Sequence, residues 1–198
     1  MSRRRALIAA QDSGPKLLFE LKNETVTSGT RITTGVAPYK SGQSITILFD
    51  FTNTANPTAD GAVASKWLAF YSYDSPNSRY AFNVGKSKRD ATYLKFVTQG
   101  VMSSDWSVIL NGSNPSVGRQ RFAFTHEADS PSATLRHLKG TGTAASYTIT
   151  RPSYVAAPGY LYFGAGENEV GSLPNGTINL AQVWDGVLSD DVIDAFFE

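Results

Sequence analysis

Two carboxylates flank an amide near the C-terminal end of the chain, in the run Glu167-Asn168-Glu169. These side chains supply hard oxygen atoms, the ligand type that Ca²⁺ accepts in shells of roughly six to eight oxygens. Gly166 and Gly171 flank the run, which therefore belongs to a loop rather than to a strand. The sequence thus offers a candidate calcium site. The alternative, which we favour, is an exposed acidic loop that binds no ion.

The two histidines complete no catalytic group. His126 falls by alternation on the apolar face of a strand, together with Phe122 and Phe124, where we expect a hydrogen-bonded structural histidine. His137 has no serine or carboxylate whose position in the sequence indicates a triad. Cysteine is absent, which excludes thiolate metal sites and a cysteine nucleophile.

Composition and charge narrow the range of partners. The 198 residues, 41% of them apolar and 12% aromatic, are enough for one packed domain without disulfides. A net charge of +1 provides no dense basic face, so we predict no nucleic-acid partner. No apolar run approaches the roughly 20 residues that cross a bilayer, so we predict no membrane partner.

The N-terminus has a basic start, Arg3-Arg4-Arg5, followed by a short apolar stretch at residues 6–10. This stretch is shorter than the roughly 7–15 apolar residues of a secretory signal, so we predict that no signal peptide is present. We divide the chain into a basic arm and linker at residues 1–15 and one domain at residues 16–198. The arm either docks on an acidic neighbour in an assembly or is a solvated tail.

Short β-type segments separated by turn signals make up the rest of the chain. Residues 44–51 place four apolar side chains on one face at a period of two, as a half-buried strand does. The pair Asn175-Gly176 tolerates positive φ and predicts a turn before the last strand. The other predicted strands are residues 17–21, 67–73, 79–84, 92–98, 106–110, 118–126, 132–138, 147–150, 160–163 and 177–184. Near-regular spacing of this kind predicts an all-β sandwich or barrel.

One short helix is predicted at the C-terminal end. Ser189 is a favourable N-cap residue, and Asp190 and Asp191 place negative charge where the helix dipole stabilises it. Leu188 and Ile193 stand at the two positions of a hydrophobic staple around that cap. No helical periodicity occurs before Ser189, so we expect a single helix.

These segments together resemble a known superfamily. Residues 164–171, 176–178 and 183–193 resemble the closing signature of concanavalin A-like jelly rolls, with the laminin-G-like and pentraxin-like branches nearest. Earlier segments resemble, in the same order, the early core strand, central hairpin and glycine-turn pair of that superfamily: residues 44–51, 67–73 with 80–85, and 121–126 with 135–140. The resemblance spans residues 17–198 and implies an antiparallel jelly-roll β-sandwich with one short C-terminal helix.

The resemblance also extends the candidate calcium site. The pentraxin-like branch carries an acidic–amide–acidic run where Glu167-Asn168-Glu169 lies, and an earlier hairpin completes its ion shell with an Asp and an Asn. Asp74 and Asn77 could take that part here. The Gln and Glu ligands that follow in the branch are absent, which supports the alternative of a loop without an ion.

Some jelly rolls of this superfamily hydrolyse polysaccharides, using carboxylates on one strand in a Glu-x-Asp-x-x-Glu or Glu-x-Asp-x-Glu run. Retaining enzymes hold two carboxyl groups about 5–5.5 Å apart. This sequence contains no such run, and its nearest pair, Glu167 and Glu169, lies among glycines. We therefore predict no catalytic residues and no enzyme activity, with polysaccharide hydrolysis as the weaker alternative.

The basic arm and the small lectin-like domain together favour a structural protein of a virion. We expect a tail-associated, receptor-binding or decoration protein of a tailed bacteriophage, located in the virion as a homo-oligomer. Its partners would be other virion subunits, surface glycans or both. The main alternative is a free carbohydrate-binding module or lectin, extracellular or at the cell surface. The fold alone does not choose between them.

Overall fold

The computed structural model describes residues 14–27, 30, 32–36, 43–54, 117–128, 130–150, 161–163 and 175–198. For residues 66–72, 79–86, 94–99 and 105–109, and for residues 149, 150 and 162, it describes the backbone alone. Within these residues the chain forms twelve strands and one helix. The helix, α1 (Asp190–Phe197), has eight residues, and no helix in this part of the chain could cross a membrane.

Two six-stranded sheets form the domain, and every strand pairing within them is antiparallel. Sheet A has the order β1 (Lys16–Val26), β12 (Gly176–Asp185), β3 (Ile45–Asn53), β8 (Gly118–His126), β9 (Ser132–Lys139) and β10 (Ala145–Thr150). Sheet B has the order β2 (Ile32–Thr33), β11 (Leu161–Phe163), β4 (Lys66–Ser72), β5 (Arg79–Lys86), β6 (Leu94–Gln99) and β7 (Asp105–Ile109). The predicted antiparallel β-sandwich is confirmed.

The main core lies between the two sheets. Phe49 of β3 stacks on Phe163 of β11 with their ring centroids 4.8 Å apart, and on Phe51 at 5.9 Å. The apolar face predicted for residues 44–51 points into this core, since its four side chains are at most 5% exposed. Around it pack Val26, Phe122, Phe124, Ala133, Leu135, Leu161, Ile178, Ala181 and Val183.

A second core forms on the outer face of sheet A, where α1 covers the strands. Its buried members are Leu48, Ala123, Leu138, Trp184, Leu188, Ile193 and Phe197. Strands β3 and β8 are therefore buried on both faces, which explains their nearly continuous burial. The predicted staple is consistent with this arrangement, because Leu188 and Ile193 belong to the same cluster.

The start of α1 differs in one respect from the prediction. Ser189 occupies the N-cap position, and its carbonyl oxygen accepts hydrogen bonds from the N–H groups of Val192 and Ile193. Its hydroxyl, however, makes no capping hydrogen bond. The buried contacts of Leu188 and Ile193 therefore define this end of the helix more than the serine side chain does.

Gly176 also has a different role from the predicted one. It is the first residue of β12, paired with Asn53, and is not among the described glycines with positive φ. A Cβ atom there would overlap the carbonyl oxygen of Thr52 and lie 2.5 Å from Cζ of Phe51. A glycine is needed because β3 and its side chains approach so closely, not because of a left-handed turn.

Candidate ligand-binding site

A β-bulge at Leu18 interrupts the first strand of sheet A. Leu17 pairs with Trp184 and Phe19 with Val183, so Leu18 is the extra residue between them. Leu17 consequently packs in the core beneath α1, whereas Phe19 packs between the sheets. Leu18 itself is left 44% exposed. Bulges commonly re-aim a side chain in this way beside functional sites.

Leu18 borders a pocket of about 330 Å³ at one end of the sandwich. This volume falls within the range of about 300–1,000 Å³ that small-molecule sites occupy. The pocket lies where β1, the residues after β2, the start of β3 and the end of β12 meet. The described residues that line it are Leu18, Thr34, Gly35, Val36, Gln43, Ser44, Ile45 and Asp185.

Hydrogen bonds fix the wall that follows β2. The N–H and hydroxyl groups of Thr34 both donate to the carbonyl oxygen of Leu161, at 3.1 and 2.9 Å. The same hydroxyl accepts from the N–H of Val36 at 3.1 Å. Gly35 closes this tight turn at a φ of 66°, a conformation that costs glycine little. This wall is therefore formed before any ligand arrives.

The opposite wall is tied together across β3 and β12. The N–H of Gly186 donates to the carbonyl oxygen of Ser44 at 2.8 Å, and the hydroxyl of Thr46 donates to the carbonyl oxygen of Gly186 at 3.0 Å. The hydroxyl of Ser44 accepts from the N–H of Ala128 at 2.9 Å. These bonds hold the end of β12, and with it the backbone of Asp185, in place.

The lining combines an apolar wall with hydrogen-bonding groups. Leu18, Val36 and Ile45 supply the apolar surface. Asp185 is exposed, accepts hydrogen bonds only, and makes no ion pair or side-chain hydrogen bond with another described residue. The hydroxyl oxygen of Ser44 already accepts from the N–H of Ala128, but its hydrogen can still be donated to a ligand. Such a pocket suits a small ligand with both C–H surface and hydroxyl groups.

The histidines are structural. His126 is 4% exposed, and its Nε2 lies 2.9 Å from the carbonyl oxygen of Ser130, so the predicted hydrogen-bonded role is confirmed. His137 is equally buried, stacks on Phe122 at 4.7 Å, and places Nε2 2.7 Å from Oε1 of Gln120. Burial lowers the pKa of His137 to about 4, and the charge of Lys139 adds to the effect.

Sequence reasoning missed the partner of His137 because an amide was not considered for that role. Gln120 and His137 are both buried, and adjacent strands β8 and β9 carry them. Their alternation onto the same face as Phe122 was the available signal. A neutral imidazole enclosed in this way contacts no solvent-facing nucleophile among the described residues, and it therefore stabilises the core.

One buried carboxylate lies on the outer face of sheet A. Asp50 is 4% exposed and accepts from Nε of Arg119 at 2.9 and 3.1 Å and from Nδ2 of Asn179 at 2.9 Å. Asn179 reaches it because β12 carries a bulge between Ile178 and Leu180. The carboxylate is occupied by a charged partner, which indicates a structural ion pair rather than an acid or base.

The predicted calcium ligands Asp74, Asn77, Glu167, Asn168 and Glu169 lie outside the residues that the structure describes. The calcium site therefore stays a prediction, as does the arm at residues 1–15, most of which also lies outside them. Among the residues that are described, no group of three or more His, Asp or Glu side chains could hold a metal ion.

Comparison with known proteins identifies no relative by sequence. No family model matches the chain, and no curated protein matches it. Solved structures do match. The CBM40 domain of the Ruminococcus gnavus IT-sialidase superposes with a TM-score of 0.66 at 14% identity, covering 91% of this chain and 98% of that one. The fold is that of a lectin-like β-sandwich.

Two further structures share this fold. The same Ruminococcus gnavus domain bound to α2,3-sialyllactose matches with a TM-score of 0.65 at 15% identity, covering 91% and 98% of the two chains. The enzymatically active domain of tailspike protein 2 from bacteriophage CBA120 matches with a TM-score of 0.60 at 15% identity, covering 94% of this chain but only 29% of that one. Structural matches at identities this low establish the fold but do not identify the ligand.

Proposed function

We propose that this chain is a non-catalytic glycan-binding module. The observation that carries the proposal is the match over nearly the full length of both chains with a carbohydrate-binding domain that has been solved with sialyllactose. The whole of that binding domain thus corresponds to this sandwich. The pocket beside Leu18 offers a concave, mixed polar and apolar surface to which such a function can be assigned.

The side chains of the described residues support binding without catalysis. Retaining glycosidases need two carboxyl groups about 5–5.5 Å apart, and inverting ones need a pair about 6.5–9.5 Å apart. Asp50 is paired with Arg119, and Asp185 is the one carboxylate among the described residues that line the pocket. We also propose that the chain belongs to the concanavalin A-like superfamily, because the antiparallel β-sandwich and the short C-terminal helix are what that resemblance implies.

A second, finer proposal places the module in a virion, as a tail-associated structural protein of a bacteriophage. The tailspike domain supports it, since that domain matches 94% of this chain with a TM-score of 0.60. The partners would then be other virion subunits and the glycans of a host surface, and the module would be a homo-oligomer. A free module at a cell surface or outside the cell is the competing arrangement.

A glycan array with the purified full chain tests the binding function. We expect saturable binding to a defined subset of glycans, and mass spectrometry of the bound glycans after prolonged incubation should show them unchanged. Absence of binding to every glycan would contradict the proposal. Shortened glycans would replace it with a hydrolase.

The virion role has a separate test. Light scattering coupled to size-exclusion chromatography should find a symmetric oligomer, and antibodies to the chain should detect it in purified particles. Deletion of residues 1–10 tests the proposed arm, since a docking arm predicts loss of incorporation. A monomer that binds glycans strongly and is absent from particles would favour the free module.

A further inference from the structure

We propose that the pocket beside Leu18 binds an uncharged sugar ring, and that Asp185 discriminates against acidic sugars there. This inference rests on the proposed glycan-binding function and specifies its site and its ligand class. The three lines of support are the bulge that exposes Leu18, the charge of Asp185, which forms no ion pair with another described residue, and the hydrogen bonds that fix the pocket walls.

The bulge gives Leu18 a surface position that ordinary strand alternation would not. Leu17 packs against the core beneath α1, and Phe19 packs against the core between the sheets. The inserted residue, Leu18, therefore faces outward at the pocket. A side chain that is 44% exposed leaves apolar surface in water. The C–H face of a sugar ring covers such a surface while its hydroxyl groups stay at the rim.

Asp185 determines the charge of the ligand. Its carboxylate accepts hydrogen bonds, and sugar hydroxyls donate them, so a neutral ring is bound by charge-assisted hydrogen bonds. A carboxylate on the ligand would instead face a like charge, and no lysine or arginine is among the described residues that line the pocket. The hydroxyl of Ser44, on the same wall as Asp185, can donate to a ring or hydroxyl oxygen.

The walls need no rearrangement to receive such a ligand. Thr34 is held by bonds to β11, and Ser44 and Gly186 are held to each other. Preformed walls reduce the entropy lost on binding, which is how a small pocket gains measurable affinity. The pocket volume of about 330 Å³ is at the lower end of the range for ligand sites, which suits one ring rather than a long chain.

The experiment compares pocket variants with matched controls on an array of glycan pairs that end in galactose or in sialic acid. Leu18→Ser and Asp185→Asn alter the pocket. Val117→Ser and Glu24→Gln make the same chemical changes at exposed positions outside the pocket lining. Thermal unfolding of all four variants checks that each is folded, and calorimetry with the best neutral oligosaccharide then gives the affinities.

We expect the parent chain to prefer the neutral members of the pairs. Leu18→Ser and Asp185→Asn should each weaken neutral-glycan binding by about tenfold or more, through lost apolar contact and lost charge-assisted hydrogen bonds. Asp185→Asn should also reduce the preference for neutral over sialylated glycans, which loss of folding would not do selectively. Both controls should bind like the parent.

Three results would overturn the inference. Glycan binding that the two pocket variants leave unchanged would place the site elsewhere while the proposed function stands. A preference for sialylated glycans would contradict the charge argument and again leave that function intact. Failure of the parent chain to bind any glycan would remove both proposals together.

Discussion

Leu17 and Phe19 lie on opposite faces of β1 although only Leu18 separates them. In a regular strand, residues two positions apart share a face. Deleting Leu18 would make Leu17 and Phe19 neighbours, which a regular strand also places on opposite faces, so each would stay in its core and keep its partner in β12. We therefore expect the deletion to lower the free energy of unfolding by less than about 1 kcal/mol.

Urea denaturation measures this loss, with Leu18→Ala as the control. The alanine keeps the bulge and removes only a side chain that is 44% exposed, so we expect a loss below about 1 kcal/mol. A loss above about 2 kcal/mol for the deletion would contradict this register, because it would mean that Leu17 or Phe19 had left its core.

Arg121 anchors the C-terminal end of α1. Its Nη1 donates to the carbonyl oxygens of Phe196 and Phe197, and its Nη2 to that of Gly140 at 3.2 Å. Burial lowers the pKa of Arg121, whose side chain belongs to a residue only 3% exposed, and the helix carbonyls and the nearby carboxylate of Asp50 offset part of that cost. Arg121→Met should lower the free energy of unfolding by about 2–3 kcal/mol, because buried carbonyls lose their donors.

A matched control for this variant is Arg136→Met. Arg136 lies over the ring of Phe197 at 5.2 Å and pairs with the exposed Asp194, so its loss should cost at most about 1 kcal/mol. Chemical denaturation of both variants compares them. If Arg136→Met were the more damaging change, the surface pair rather than the buried cation would anchor the helix.

Gly176→Ala tests the close approach of β3 and β12. The new methyl group would overlap the backbone of Thr52 and the ring of Phe51, so we expect a loss of about 3 kcal/mol or insoluble protein. Gly142→Ala is the comparison, because no atom lies within 4 Å and only its φ of 123° opposes the substitution. A smaller loss at Gly176 than at Gly142 would contradict the steric explanation.

His137 makes stability depend on pH. Its pKa falls from the ordinary value of 6.5 to about 4 in the folded chain, so above pH 6.5 both states are neutral and this contribution is complete. As the pH falls from 6.5 towards 4, the unfolded chain binds a proton that the folded chain does not. Between pH 7 and 5 the parent should therefore lose about 2 kcal/mol.

Denaturation curves at both pH values for the parent and His137→Gln measure this effect. The glutamine variant cannot bind that proton, so its loss over the same interval should be about 2 kcal/mol smaller. An identical pH dependence would mean that His137 titrates normally and is not enclosed.

Calcium discriminates the two interpretations of Glu167-Asn168-Glu169. For the favoured ion-free loop we expect the same Tm in calcium chloride as in chelator. A rise in Tm that the double variant Glu167→Ala, Glu169→Ala abolishes would establish the calcium site instead.

Local patterns predicted much of the fold. Alternation located β8 at its observed bounds, Gly118–His126, and the apolar face of β3. The register shifts at Leu18 and Asn179 were not predicted, because a bulge is set by the partner strand and leaves no mark in the alternation of one segment. The pocket was missed for the same reason, since its lining residues come from four separate segments.

The candidate residues that were chosen from the sequence had conspicuous chemistry, such as paired carboxylates. Those that line the pocket are ordinary in the sequence, and Leu18 and Asp185 become notable only through exposure and position. Position depends on long-range pairing between β1, β3 and β12, which a single sequence does not display.

The most direct test of the central claim is isothermal titration of the full chain with the neutral oligosaccharide that ranks highest on the array, followed by mass spectrometry of the recovered sugar. We predict saturable heat, a stoichiometry of one ring site per chain and an intact oligosaccharide. A titration without binding heat for that sugar and the other glycans of the array, or recovery of a shortened product, would contradict non-catalytic glycan binding.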